Sequence, residues 1–535
     1  MFSNDTFELP TSQVVPSISI TNVFIGTSLV LLLVHLLVTK QNILFKDSVV
    51  KTLAKRIYTW KYLLNGAAII QAGFDRAEGN PFEVLAPDAR YIFVSSIEHI
   101  KEVDNAPDTV LSLQAASKQM LQPVYTMYGF DWFDRRGTEG VGFVRTLRTL
   151  LTNNLPSIMP DLATLIRVNF LELYDGSKII NGQKHSPVYP FILKLVILCN
   201  SRSFFGKELC NNEPFMLAAR NYVEETLICA EVVKLVPKIM SPLIGGVMRR
   251  YLKSQQIIFD ALLPVAEQRC RERDLANLGH KVPQHDSNAS QADCIQWIME
   301  TAPRQKPWTG KRVVHELMAI WFGSVHALST TITFAIQDLC LHPEYNEPLR
   351  EELVCEYADF EKTALGLPLL DSFLKESARL TPVESMSTRR CATKPFELSD
   401  GTKLAVGDWA CTPVRAIMTS REFYPEPTIF HGFRFVDQNL VHPKVARKFA
   451  FLQPNPSKIT DASQSWHVWG TGRMVCPGRF YATAVMKIIV GHIIMHYDCR
   501  LTDATANRWF TWRSTMLPKE HTMVVFTPIE DSTLA

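Results

Sequence analysis

The sequence has no C-x-x-C pair among its 11 cysteines, which excludes paired-thiolate zinc sites and the thioredoxin-like redox motif. It also lacks the Gly-rich fingerprint with which a chain binds nicotinamide or flavin dinucleotides. Net charge is only +3, so composition gives no case for a nucleic-acid partner. There is no low-complexity tract and no repeat of solenoid period. Beyond residue 60, no Gly/Ser-rich or Pro-rich break is long enough to separate domains. Lys and Arg are absent before residue 40, so the basic n-region of a cleaved signal peptide is missing. What is present is globular material: 535 residues, 47% hydrophobic and 20% charged, enough for a large core. An odd, scattered set of cysteines points to reduced thiols in a cytosol-facing body.

Residues 23–38 read VFIGTSLVLLLVHLLV. With the preceding residues they reach bilayer-crossing length and hold one ionisable side chain, His35. Asp5 and Glu8 precede the run, and Lys40, Lys46, Lys51, Lys55 and Arg56 follow it. Positive charge stays cytosolic. The sequence therefore predicts a lumenal N-terminus over 1–17, a transmembrane anchor over 18–39, a basic linker over 40–60 and a cytosolic body over 61–535. Asn4-Asp5-Thr6 is a glycosylation sequon on the lumenal side.

The body reads as mainly α with small β-sheets. Residues 85–97 predict a strand pair, and most of 140–275 is helical in pattern, followed by a polar surface loop over 274–290. Thr309-Gly310 opens a helix over 311–341, with Val314, Leu317, Ile320, Trp321 and Leu328 at helical spacing and His342-Pro343 at its end. A shorter helix near 370–380 carries Glu376 and Arg379. Residues 396–412 predict a hairpin turning at Asp400-Gly401. A last helix follows Gly478, with Val485, Ile488, Ile489 and Ile493 on one face, and 516–527 predict a terminal strand pair.

The segment from Trp469 to Arg479, WGTGRMVCPGR, carries the most chemistry. Gly470 and Gly472 permit a tight loop with positive φ. Pro477-Gly478 then launches the last helix, with Cys476 at its N-terminal edge. Backbone N–H groups there point at the sulfur and favour a thiolate, and Arg473 and Arg479 add positive potential. The other ten cysteines read as buried structural thiols.

This loop resembles the haem-binding segment of the cytochrome P-450 family, written F-x-x-G-x-R-x-C-x-G. Trp469 stands where Phe is usual, and Gly472, Cys476 and Gly478 match. Met474 occupies the position of a propionate-binding Arg or His; Arg473, one place earlier, is the substitute. Lys375-Glu376-Ser377-Ala378-Arg379-Leu380 is similar to the family's E-x-x-R helix, and Arg434 takes the place of the arginine that completes that brace. Arg390, eleven residues after Arg379, stands where the family often binds a propionate; the other reading is an exposed charge beside Arg389. Arg148 resembles the propionate ligand of the family's C helix, although Val144 replaces the usual Trp. Trp132 and Arg136 satisfy the same spacing by coincidence.

The oxygen-activating pattern A/G-G-x-D/E-T-T is replaced by Gly323-Ser324-Val325-His326-Ala327-Leu328. Ala327 cannot make the hydrogen bond of the usual threonine. His326, with Ser324, is left to relay protons; the alternative is a core histidine bonded to a carbonyl. Similar F-x-S-V-H segments occur in fungal members acting on terpenoids and related metabolites.

The resemblance implies a haem-thiolate catalytic domain with Cys476 as axial ligand of haem b. It implies electrons from NADPH through a separate reductase, O2 as co-substrate, and hydroxylation or oxidation of a bulky hydrophobic substrate, a terpenoid or meroterpenoid. Trp321, Phe322, Val325 and Leu328 are candidates to line its pocket; the equal alternative is that they are ordinary core. The implied location is the endoplasmic reticulum membrane. Two alternatives follow from Ala327 and from haem binding as such: a rearrangement or dehydration enzyme independent of NADPH, and a haem-binding protein without catalysis.

Overall fold

The computed structural model describes residues 46–132, 142–280, 293–302, 307–441, 443–449 and 456–529. The anchor segment, Asn4 and Arg136 lie outside them.

The central helix, Gly310–Leu341, is 32 residues long. It begins where Thr309 Oγ1 accepts a hydrogen bond from the Arg312 amide at 3.3 Å, a side-chain cap for an otherwise unpaired donor. Val313, Val314, Leu317, Met318 and Trp321 are fully buried along it, and each large apolar side chain so removed from water contributes about 1.5–3 kcal/mol. Helices Val188–Cys210, Ser254–Asn277, Pro368–Leu380 and Arg479–His496 pack around it. Val188–Cys210 and the central helix are each apolar and long enough to cross a membrane, yet both are largely buried inside this fold. The predicted helices at 311–341, 370–380 and after Gly478 are thus present.

The predicted strand pair near 85–97 is β1 (Phe82–Leu85) against β2 (Arg90–Phe93), antiparallel. Strand β3 (Leu111–Ser112) closes the far edge of the same sheet, and β4 (Lys178–Ile180) and β5 (Gln183–Pro187) interrupt the helical stretch. Strand β6 (Ser387–Ala392) follows the Pro368–Leu380 helix.

The hairpin expected over 396–412 is shorter than its sequence pattern. Only β7 (Phe396–Glu397) and β8 (Lys403–Leu404) pair with each other, across a turn where Gly401 takes φ +87° and Asp400 accepts from the Thr402 amide at 2.9 Å. The next strand, β9 (Trp409–Thr412), leaves for the five-stranded sheet, order β1-β2-β9-β6-β3. Its four residues are all buried, and a strand so apolar on both faces seeks two neighbours rather than a hairpin mate.

The terminal strand pair is also redistributed. Strand β12 (Thr515–Pro518) pairs with β11 (Trp509–Trp512). Strand β13 (Met523–Pro528) instead lies between β10 (Tyr497–Leu501) and β5. At the tip of the β11–β12 hairpin, Arg513 has φ +54° and its carbonyl approaches Gly66 so closely that a Cβ there would stand 2.2 Å from the oxygen. Arg513 also pairs with Asp88 at 2.7 Å and Glu231 at 3.0 Å, tying the hairpin to the β1–β2 turn and to helix Glu213–Leu235.

Candidate active site

The site is assembled on a buried ionic brace. Glu376 lies one turn before Arg379 on helix Pro368–Leu380, and both are 0% exposed, as is Arg434. Arg379 grips Glu376 with two nitrogens, at 2.7 and 2.8 Å. Arg434 Nε meets both carboxylate oxygens, at 3.0 and 3.1 Å. The remaining guanidinium donors are spent on backbone: Arg379 on the carbonyls of Met418 and Pro427, Arg434 on those of Pro425, Glu426 and Ile429. The amide of His431 completes the set by donating to Glu376 at 3.0 Å. Burying one carboxylate between two cations is tolerable only when every lone pair and proton is used, and here the surplus donors pin the segment 418–431. Burial pulls the Arg434 pKa down, and Glu376 opposes that shift.

From the same helix a second chain of contacts reaches the cysteine loop. Asp371 accepts from the Ile459 amide at 2.7 Å and pairs with Lys487 of the last helix at 2.6 Å. The Ile459 carbonyl accepts both indole N–H groups, from Trp466 at 3.0 Å and Trp469 at 2.6 Å. The Trp469 carbonyl accepts from the Cys476 amide at 2.7 Å. Lys375, its pKa lowered to about 8 by burial, donates to Ser457 and to the Lys458 carbonyl and lies 4.5 Å and 4.9 Å from the rings of Phe435 and Trp466. None of Asp371, Lys375 and Lys487 was singled out from sequence. On a helical wheel they are ordinary charged residues, and only the fold buries them.

The loop takes the conformation its glycines allow, with φ +80° at Gly470 and +59° at Gly472. Gly472 also admits Asp104: a Cβ there would stand 2.6 Å from the Asp104 carboxyl carbon. Asp104 accepts from Thr471 Oγ1 at 2.9 Å and faces Arg390 at 3.6 Å, and burial raises its pKa.

Cys476 sits at the mouth of helix Arg479–His496, with the amides of Gly478 and Arg479 directed at its sulfur. Those amides and the Arg479 charge lower the thiol pKa as the sequence implied, but burial outweighs them and the net direction is upward. Desolvation of an anion in an apolar cavity is the larger effect.

Above the thiol opens a cavity of about 2410 Å3, lined chiefly by apolar side chains. Cys476, Trp469, Gly478 and Arg390 reach its wall from below, and Gly323, Ser324, His326 and Ala327 from the central helix. A Cβ on Gly323 would meet nothing within 4 Å, so the helix leaves open space at this turn. Arg390 is buried (3% exposed), not the surface charge that was its alternative reading. Arg148 and Arg473 do not line this cavity. Arg148 is exposed, in a π-helical turn (Thr146–Leu151), and donates to the Arg473 carbonyl at 3.4 Å. Arg473 donates to the Ala106 carbonyl at 3.2 Å. Phe322 and Leu328 line the cavity, whereas Trp321 and Val325 face the core instead; the Trp321 indole donates to the Ala219 carbonyl. Trp132 is buried outside any helix and donates to Gln114.

Two polar arrangements on the central helix were not legible in the sequence. Ser324 accepts from Asn200 Nδ2 at 3.2 Å and donates to the Trp321 carbonyl, and Asn200 Oδ1 accepts from the Tyr481 hydroxyl at 3.1 Å. His326 Nδ1 lies 2.8 Å from the Tyr189 hydroxyl, while its Nε2 is buried with no hydrogen-bond partner among the described residues. Burial lowers the His326 pKa to about 4, so the imidazole is neutral at pH 7.

A helical fold that closes a large apolar cavity over a buried thiol, beside a buried ionic brace, can set a sulfur ligand against an apolar molecule. Comparison with known proteins supplies the lineage. The family model for cytochrome P450 matches residues 147–526. Cytochrome P450 monooxygenase olcJ of Penicillium canescens is 26% identical over 486 residues, covering 89% of this chain and 85% of the relative. Cytochrome P450 monooxygenase paxP of Penicillium paxilli is 28% identical over 439 residues, covering 80% and 79%. The solved structure of retinoic acid-bound cyanobacterial CYP120A1 has the same fold, with TM-score 0.63 at 16% identity over 88% of this chain and 96% of that one. The chain belongs to the cytochrome P450 family and is a haem-dependent monooxygenase.

Proposed function

We propose that this enzyme hydroxylates or further oxidises a bulky hydrophobic substrate, a terpenoid or meroterpenoid, in fungal secondary metabolism. The observation that carries the reading is the cavity itself: about 2410 Å3, mostly apolar, with Cys476 in its wall. That volume has to take the haem as well, and what remains has room for a polycyclic ligand.

The residues present fit haem b. Cys476 is the one cysteine among the described residues that line the cavity, the central helix keeps open space at Gly323, and the buried cation Arg390 on the cavity wall suits a propionate. Trp469, Gly472 and Gly478 shape the loop that presents the sulfur. Arg148 and Arg473 remain candidates only for the outer edge of that loop, where their side chains end. When bound, haem supplies thiolate-assisted activation of O2. The chain's own part is to hold the sulfur at Cys476 through backbone N–H groups, to exclude water with an apolar wall, and to relay protons at His326, since Ala327 has none to offer. Ser324 steadies the same turn through Asn200.

Electrons come from NADPH through a separate membrane-bound reductase, since the sequence carries no dinucleotide fingerprint. The anchor at 18–39 would hold the enzyme in the endoplasmic reticulum membrane, with Asn4 on the lumenal, glycosylated side. The test is expression of the full chain in a reductase-containing microsomal host supplied with candidate terpenoids under labelled O2. One labelled oxygen in the product supports the reading; turnover without NADPH supports a rearrangement enzyme and refutes it. Cys476→Ser is expected to abolish the thiolate-type spectrum of the reduced carbon monoxide complex.

A further inference from the structure

The segment that follows the brace helix runs along the cavity wall toward Arg390, and it places a carboxylate there, Glu384. Backbone pins this segment to the β11–β12 hairpin. The Ser385 amide donates to the Ser514 carbonyl, and the Met516 amide to the Val383 carbonyl, both at 2.7 Å. The Glu384 side chain is held as firmly. Its Oε2 accepts from Arg389 Nη2 and from Ser514 Oγ, the latter at 2.9 Å. Its Oε1 accepts from Thr515 Oγ1 at 2.8 Å. Pro382 and Ser385 on either side are buried, yet 34% of the Glu384 side chain is exposed, and the space it lines is the cavity.

A carboxylate has about four acceptor places, two on each oxygen. Both places on Oε2 are filled, and one on Oε1 is filled by Thr515. Arg513, beside Ser514 on the hairpin, is spent on Asp88 and Glu231 and does not take the fourth. The Arg389 guanidinium makes the carboxylate tolerable in an apolar wall. It also cancels the attraction for a second cation, so the free place suits a neutral donor. We infer that Glu384 is a specificity-determining residue of the cavity: Oε1, fixed by Thr515 with its second place free, accepts a hydrogen bond from a neutral hydroxyl or N–H group on the hydrophobic substrate. The substrate class is thereby narrowed to polycycles that already carry such a donor when they enter. The inference rests on the reading of this cavity as the substrate site over haem.

The test uses the full chain loaded with haem and a series of 1-alkylimidazoles of increasing chain length, each made with a methyl, a methoxy or a hydroxyl tip. The imidazole anchors on the iron, so the chain lies in the cavity, and affinity is read from the Soret shift. At the chain length that reaches Oε1, the hydroxyl tip should bind roughly tenfold tighter than the methoxy and methyl tips, the size of a hydrogen bond to a charged acceptor. Glu384→Gln should change the kind of preference. Arg389 can only donate, so it keeps the amide oxygen at the Oε2 position. The amide nitrogen then occupies the free place as a donor, and the methoxy tip should rise to match the hydroxyl tip. The double variant Glu384→Leu/Arg389→Leu removes the ion pair as a unit and should level all three tips. Thr515→Val, which frees a further place on Oε1, should retain the hydroxyl preference. Equal affinity of the three tips at every chain length in the unaltered protein overturns the inference, as does a hydroxyl preference that survives in Glu384→Gln with the methoxy tip still weak. A preference lost in Thr515→Val assigns the recognition to that hydroxyl and overturns it as well. If no member of the series moves the Soret band, the cavity reading itself fails; if all bind and none discriminates, that reading stands and only the role of Glu384 falls.

Discussion

Replacing Glu376 by Ala removes the one anion that two fully buried guanidinium groups share. Four charge-assisted contacts disappear at once, at 2.7, 2.8, 3.0 and 3.1 Å, together with the acceptor of the His431 amide. Arg379 and Arg434 stay charged, because the carbonyls they also grip cannot neutralise them. Breaking a buried pair by deleting one partner costs about 3–5 kcal/mol, and the two cations left facing each other add to that. Against a total stability of roughly 5–15 kcal/mol, the loss is large enough to unfold much of the protein or release its haem. Arg379→Lys tests the geometry separately from the charge. Lysine keeps the cation but has one nitrogen in place of the fork that serves Glu376, Met418 and Pro427, so it should fail nearly as badly. The assay is the haem content of purified protein with the reduced carbon monoxide spectrum, alongside the urea midpoint of whatever folds. A Glu376→Ala protein with full haem content and a midpoint unchanged from the parent would refute the reasoning, since that is how an exposed pair of little energy behaves.

Acid should be destabilising through buried neutral histidines. Burial lowers the pKa to about 4 at His315, His326 and His467 and to about 3 at His492. The unfolded chain takes up these protons near pH 6.5, so the stabilisation is complete above that pH and is lost as pH falls toward 4, at about 1.4 kcal/mol per unit for each histidine. Urea midpoints measured from pH 7 to pH 5 should fall, and His467→Asn should flatten that slope if it folds. Gly472→Ala meets both an unfavourable φ of +59° and Asp104 at 2.6 Å; a cost of about 1–3 kcal/mol should appear as lower haem retention, relieved in part by Asp104→Ala. Gly66→Ala strikes the Arg513 carbonyl at 2.2 Å, a backbone atom that cannot step aside, so proteolysis at the β11–β12 hairpin should accelerate. Arg390→Leu should weaken haem binding more than Arg148→Leu, because only Arg390 lines the cavity; equal losses in a haem-release assay would contradict that.

Much of the fold was legible because it rests on local pattern. The central helix declares itself through apolar residues at helical spacing and a Thr cap, and the last helix through Pro477-Gly478 and the apolar face that follows. The Asp400-Gly401 turn is a two-residue signal and forms where expected. Strand partners were not legible: β9 and β13 look like hairpin mates of their sequence neighbours but pair instead with β2, β6, β10 and β5. Pairing over such distances depends on which faces the helices leave uncovered, and no window of sequence contains that.

The thiol and its glycines, the Glu376–Arg379 spacing and the missing alcohol at Ala327 are properties of the chain alone, because backbone conformation and side-chain chemistry are fixed within a few residues. Tertiary structure decided the rest. It buried Lys375 and Asp371 while leaving Arg148 exposed, chose Arg390 for the cavity wall, and brought Tyr189 across to His326 from 137 residues away. The physical reason is the same in each case: the energy of a charge or a hydrogen bond depends on burial and on its partner, and both are set only when distant segments pack.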